Sequence, residues 1–217
     1  MSDLVPFHEL ALAAYCPRKL YYARQADREP PPEVDRAREL AFEYDDLLAA
    51  DALAARSIRV PPARFRRNLR RARERFADRW TDLLDPPERG VVLAGRDARG
   101  RVDKVLADPP VPSLVSPGEP PETGVWRPQS VRAVAAAKAL AWREERPVET
   151  AFVEYPRTGV VRRVRLTTRR KARYRTALRT VRALDGPPPR VDNDEKCAAC
   201  EYREQCGVRT RSLRSLL

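Results

Sequence analysis

A chain of 217 residues with 42% hydrophobic content is long enough for one sizeable core and has the apolar share of an ordinary folded domain. No stretch is apolar for long enough to span a bilayer and no apolar leader precedes Cys16, so a membrane protein and a secreted, disulfide-built one are disfavoured and a cytoplasmic location is expected. A formal charge of +12 and an isoelectric point of about 10.1 point instead to a polyanionic partner, most simply nucleic acid.

The N-terminal segment from about Leu4 to Arg24 reads as a helix with aromatic and aliphatic residues on one side, interrupted at Pro17 just after Cys16. Pro30-Pro31-Pro32 predicts an extended link. A second helix is predicted from about Glu33 to Ala55, with Ala37, Leu40, Tyr44, Leu47 and Leu48 at amphipathic spacing. After Val60-Pro61-Pro62 a third runs from about Ala63 to Leu84, with Phe65, Leu69, Ala72, Phe76, Trp80 and Leu83 on one face. Arg64, Arg66, Arg67, Arg70, Arg71, Arg73 and Arg75 occupy its other faces, offset only by Glu74. Like charges one turn apart destabilise a helix, so this face is expected to meet an anion, with Arg66, Arg67, Arg70 and Arg73 as candidate DNA contacts. Only five of the 43 basic residues are lysine. A GC-rich genome contributes to that bias, but codon usage does not create an excess of positive charge, and the guanidinium fork suits phosphate.

After Gly90 the period changes. Val91–Ala94 and Val102–Leu106 are strand candidates joined by a turn at Asp97-Ala98-Arg99-Gly100, where Gly100 is free to take positive φ, and Val111–Ser116 is a third strand. A helix follows from about Pro128 to Glu145, then a hairpin of Val148–Tyr155 and Val160–Leu166 turning at Thr158-Gly159. A last long helix spans about Thr168 to Leu184 and leads through Gly186-Pro187-Pro188-Pro189 to a cysteine-bearing tail. Helices, strands, helix and strands again make an α/β order.

The four cysteines are Cys16, alone near one end, and Cys197-x-x-Cys200 with Cys206 near the other. Four thiolates could close one centre that ties both ends together. Reduced thiols of a cytosolic chain argue against cystines, and the charged neighbours Lys196, Glu201, Arg203 and Glu204 argue against inert buried cysteines. One Cys-x-x-Cys pair with a looser third spacing and a remote fourth ligand favours a four-iron, four-sulfur cluster; zinc stays open as the alternative.

Together with the α/β order, three segments resemble the CRISPR-associated RecB-like exonuclease family. They are Tyr15-Cys16-Pro17-Arg18-Lys19-Leu20-Tyr21-Tyr22, Cys197-Ala198-Ala199-Cys200-Glu201-Tyr202-Arg203-Glu204-Gln205-Cys206, and Gly100-Arg101-Val102-Asp103 as a Gly-x-x-Asp strand end. The resemblance implies a restriction-endonuclease-like α/β core, a central mixed sheet flanked by helices, with a helical N-terminal part and a C-terminal iron–sulfur segment. The corresponding divisions are residues 1–60, 61–186 and 187–217. It also implies a 4Fe-4S cluster on Cys16, Cys197, Cys200 and Cys206, metal-dependent exonuclease action on single-stranded DNA or DNA ends in spacer acquisition, and CRISPR integrase proteins as partners.

The family's nuclease site holds Mn²⁺ or Mg²⁺ through a histidine on an early helix, an aspartate at a strand end and Glu-x-Lys on the next strand, followed by Gln-x-x-x-Tyr on a helix. Here Asp103 alone matches: the only histidine is His8, ahead of the first cysteine, Val111–Ser116 has neither glutamate nor lysine, and Val134 and Lys138 stand for the Gln and Tyr. Two expectations follow. Either the charges have migrated, with Lys138 reaching Asp103 from the helix and Glu119 or Glu122 supplying a second carboxylate, or the chain is a catalytically inactive DNA-binding adaptor. A redox-responsive regulator using the cluster as sensor is a third class. Asp194-x-Lys196 abuts Cys197 beyond the last core element and is set aside as a nuclease motif.

Overall fold

In the computed structural model, residues 4–26, 32–50, 53 and 57–207 are described. The chain is α/β, built in three layers. The middle layer is formed by a three-stranded sheet and a five-stranded mixed sheet that adjoin where β4 (Ala98–Arg101) runs on into β5 (Lys104–Leu106). On one edge this β4–β5 run pairs antiparallel with β2 (Glu88–Arg89) and β3 (Val92–Ala94). The Gly90 N–H to Asp103 O bond (2.9 Å) and the Val102 N–H to Val91 O bond (2.9 Å) bridge the break. On the other edge its partner changes. The short β1 (Val5–Pro6) lies parallel to Ala98 and Arg99, whereas β6 (Val111–Val115) lies antiparallel to β5. Asp103 stands where those two neighbours part. The sheet continues from β6 to the parallel β7 (Thr150–Tyr155) and antiparallel β8 (Val160–Arg165). Gly159, at φ 68°, makes the β7–β8 turn as its sequence position predicts.

One face of the sheet packs on α1 (Phe7–Tyr15), α7 (Arg127–Arg143) and α8 (Thr168–Arg182). The other packs on α3 (Pro32–Leu40), α4 (Tyr44–Ala49), α5 (Pro62–Arg75) and α6 (Trp80–Leu84). Strand alternation feeds both cores: Ala151, Val153 and Tyr155 face the first, and Phe152 the second. Helix α1 thus packs within the first core, and β1 pairs with β4. No helix among the described residues is long and apolar enough to cross a membrane.

Helix positions follow the sequence pattern, but two long helices are broken. The 33–55 helix is divided by Ala41–Glu43 into α3 and α4. The 63–84 helix ends at Phe76 (φ −125°), passes through a 3-10 turn at Ala77–Arg79 and restarts as α6. Phe76 meets Phe152 edge-on at 5.2 Å, and Trp80 stacks on Tyr44 at 5.7 Å while donating Nε1–H to Asp45 at 2.9 Å. All six stripe residues reach the same core across the break, which is why periodicity alone did not reveal it. Pro30, Pro31 and the expected helix end at residues 51–52 and 54–55 lie outside the described residues.

Gly100 corrects a second expectation. It lies within β4, without positive φ, and the turn falls earlier, at Gly95–Asp97. Its role is close approach: a Cβ there would sit 2.5 Å from Phe7 Cγ, and Phe7 is itself buried. Gly100→Ala is expected to cost about 1–3 kcal/mol through overpacking, read as a lower urea midpoint at unchanged m-value.

Candidate functional site

Asp103 lies in the break between β4 and β5, at the parting of the sheet, and is 3% exposed. Its backbone N–H donates to Ser113 O at 3.0 Å. Its Oδ2 accepts from the Val115 N–H at 2.7 Å, and its Oδ1 accepts from Arg38 Nε at 2.9 Å. Arg38, from α3, also donates to Asp35 at 2.8 Å. Both carboxylate oxygens are therefore engaged, one by a fixed positive charge. Arg132, from α7, approaches from the opposite helical layer. Desolvation lowers its pKa, Asp103 raises it and Arg38 lowers it again. Its one hydrogen bond among the described residues goes to Arg101 O at 3.3 Å.

Above Asp103 opens a cleft of about 510 Å³ lined by Pro6, Phe7, His8, Arg38, Val92, Arg99, Gly100, Arg101 and Arg132. None of these lining residues is acidic. The sole histidine, expected to lie away from any nuclease position, is at this mouth because β1 and α1 dock beside β4. Its imidazole is held below the ordinary value, by desolvation first, with Glu9 opposing and Arg132 adding. A hard divalent ion takes about six oxygen ligands; one engaged carboxylate ringed by guanidinium groups does not fit Mn²⁺ or Mg²⁺.

The glutamate and lysine missing from β6 occur on its neighbours. Lys104 on β5 and Glu154 on β7 are 0% exposed and paired at 2.9 Å. Lys104 Nζ also donates to Ala41 O (2.6 Å) and Leu83 O. Glu154 Oε2 accepts from Tyr44 Oη–H at 2.8 Å, and its Oε1 from Ser113 Oγ–H at 2.5 Å. Burial, then the adjacent Glu154 charge, pushes the Tyr44 phenol well above its ordinary value and keeps it a donor. This network faces the second core, on the side of the sheet under α4, and is closed to solvent. Sequence reading passed over Lys104 because it adjoins Asp103 and so points to the opposite face of the strand.

Lys138 is not brought to Asp103. It lies six residues beyond Arg132 on α7, about 9 Å of helix rise, and is exposed, with Nζ 6.0 Å from the Tyr174 ring centroid. Its apparent inward spacing misled because α7 is buried on nearly all sides by small residues, Ala133, Ala135, Ala136, Ala137 and Ala139 among them. The polar groups α7 brings near Asp103 are Arg132 and, in an adjoining cavity, Gln129, rather than Val134 and Lys138. Glu119 and Glu122 are exposed loop residues.

At the far end of α1 the four cysteines meet. Cys16 is the extended joint (φ −160°) between α1 and α2 (Pro17–Ala23), with Pro17 at the first position of the second helix. Cys197 lies on α9 (Asp194–Ala198), whose N-cap Asn193 accepts the Lys196 N–H at 2.8 Å. Cys16, Cys197, Cys200 and Cys206, all unpaired thiols, line one small cavity with Tyr15, Tyr22 and Tyr202. Burial and the neighbouring Cys16, Cys206 and Cys200 raise the Cys197 pKa. Arg18, Lys19, Arg190, Lys196 and Arg203 complete a cationic frame. Tyr22 stacks on Tyr202 at 6.0 Å and donates to Gln205 O at 3.1 Å; Lys19 pairs with Glu201 at 3.2 Å. Among the described residues no group of three or more histidine, cysteine, aspartate or glutamate side chains is placed to hold a metal ion.

On α5, Arg67, Arg70 and Arg73 are exposed, with Arg73 3.7 Å from Asp45; Arg66 is half-buried and donates to Ala50 O at 2.6 Å. No protein-family model matches the chain, and no curated protein is significantly similar to it.

Proposed function

We propose that this chain is a catalytically silent, DNA-binding relative of the CRISPR-associated RecB-like exonucleases, acting beside integrase proteins in the cytoplasm during spacer acquisition. The carrying observation is the state of Asp103: its carboxylate is bonded to Arg38 and Val115, while the neighbouring Lys104–Glu154 pair is sealed in the core. The succession α1, β3–β4/β5, β6, α7, β7, with β6 parallel to β7, supports a restriction-endonuclease-like core. The charge of +12 and the exposed Arg67, Arg70 and Arg73 support sequence-independent backbone contacts.

The cluster belongs to the same reading. The four thiols line one cavity, and the cationic frame around them suits the anionic charge of a thiolate-held cluster. Cys16, Cys197, Cys200 and Cys206 would hold it, and it would act as a structural clamp.

The test is anaerobic protein with end-labelled single strands and Mn²⁺. Wild type and Asp103→Ala should leave the strand equally intact, while wild type binds it with steep salt dependence. Trimming that Asp103→Ala abolishes would restore the enzyme reading. Replacing Arg67, Arg70 and Arg73 together by Gln should lower the salt slope by about 2, at about 0.7 per lost single-strand contact, measured by fluorescence anisotropy.

A further inference from the structure

The charges around Asp103 do not balance. Two guanidinium groups, from Arg38 and Arg132, converge on one buried carboxylate, and Asp35, the other acid touching Arg38, is exposed. Arg99 and Arg101 add two more at the mouth; both are exposed, and neither side chain makes a hydrogen bond or ion pair among the described residues. Arg132 directs most of its donors at no protein acceptor. A cleft of one sign with low-dielectric walls concentrates anions, and guanidinium forks match phosphate oxygens. The cleft is open to solvent along this basic lining.

We propose that this cleft is a metal-free seat for one backbone phosphate of a nucleic-acid strand, with Arg132 as its principal fork, Arg99 and Arg101 guiding the strand at the mouth, and Arg38 holding Asp103 out of the way. The seat rests on the DNA-binding reading above and gives that reading a second contact point, distinct from α5. The phosphodiester stays intact, because the guanidinium groups bind charge but neither generate nor orient a hydroxide. Asp103 then opposes the phosphate electrostatically: it is paired with Arg38, and its charge offsets part of that of Arg132.

The test measures binding of a labelled oligothymidylate to the full chain in EDTA, as a function of salt. Arg132→Gln should weaken binding about tenfold and reduce the salt slope by about 0.7, since one charge-assisted contact is lost. Arg132→Lys should keep the slope and recover part of the affinity. Asp103→Asn should tighten binding, the opposite of what a metal-dependent site would show, and Mn²⁺ should add nothing to wild type. If Arg132→Gln melts early, Arg99→Gln with Arg101→Gln, both at exposed positions, carries the same expectation. Unchanged affinity and slope in these variants, while the α5 glutamine variant binds weakly, would overturn the seat and leave the DNA-binding reading standing. No strand binding by wild type at low salt would take down that reading itself. If inorganic phosphate raises the melting temperature in an Arg132-dependent way without displacing the strand, the seat takes free phosphate, and its assignment to a strand is wrong.

Discussion

Lys104→Met should destabilise the protein by about 3–5 kcal/mol, the range for breaking a buried ion pair by removing one partner. The reason is what remains: Glu154, 0% exposed, keeps only Tyr44 and Ser113 as donors and has no countercharge. Two main-chain acceptors, Ala41 O and Leu83 O, lose their donor in the same step. Those two carbonyls lie at the end of α3 and within α6, so the ammonium pins two helices of the second layer to the sheet. Glu154→Gln should cost less, because the amide retains an acceptor for Tyr44 and can still meet Lys104. The pair Lys104→Met with Glu154→Leu should recover part of the loss, since the isolated charge is gone. Urea unfolding of the four proteins checks this. If Lys104→Met proves as stable as wild type, the network is no keystone of the second layer. Strand binding should be unchanged in any folded variant, because the network faces away from the arginine cleft.

Much of the framework was legible from local pattern. The Pro17 interruption beside Cys16, the β7–β8 hairpin at Gly159 and the last long helix starting at Thr168 are one-dimensional signals, and they appear where the local pattern puts them. What stayed hidden depends on which strand lies beside which. The Asp103 environment is assembled from Arg38, Val115 and Arg132, on three separate elements, and no spacing rule links them. The absence of Glu-x-Lys from β6 was visible, but its chemical equivalents on β5 and β7 were not, because a lysine in an apolar strand reads as exposed until its partners are known. Lys138 failed for the complementary reason. Helical periodicity identifies an inward face only when a helix has an outward one, and α7 is packed by the sheet, α1 and α8 together.

Loss of the proposed cluster on Cys16, Cys197, Cys200 and Cys206 should free the tail and leave the core folded. As a cross-link between Cys16 and the C-terminal trio, the clamp closes a very long loop, and chain-entropy arithmetic puts its contribution at up to about 5 kcal/mol. That contribution is not spread evenly. α1 is held by its own packing on α7 and α8, whereas α9 buries no residue and, among the described residues, the tail contributes Tyr202 alone to the buried apolar set. Without the centre, the tail has Tyr22–Tyr202 stacking, the Lys19–Glu201 pair and a few main-chain contacts such as Arg18 to Pro188 O (3.1 Å), each worth little at the surface. Cys206→Ser, made anaerobically, should therefore lose visible iron–sulfur absorbance and bound iron. Amide exchange across residues 194–206 should accelerate by two to three decades, equivalent to about 3–4 kcal/mol, while exchange in α7 and β7 stays near wild type. A protected tail with stoichiometric zinc would replace the cluster by a single ion. A wild-type protein free of both metals, with exchange in the tail no faster in Cys206→Ser, would show that the four thiols share a cavity without a clamp, and the proposed family reading would fall with it.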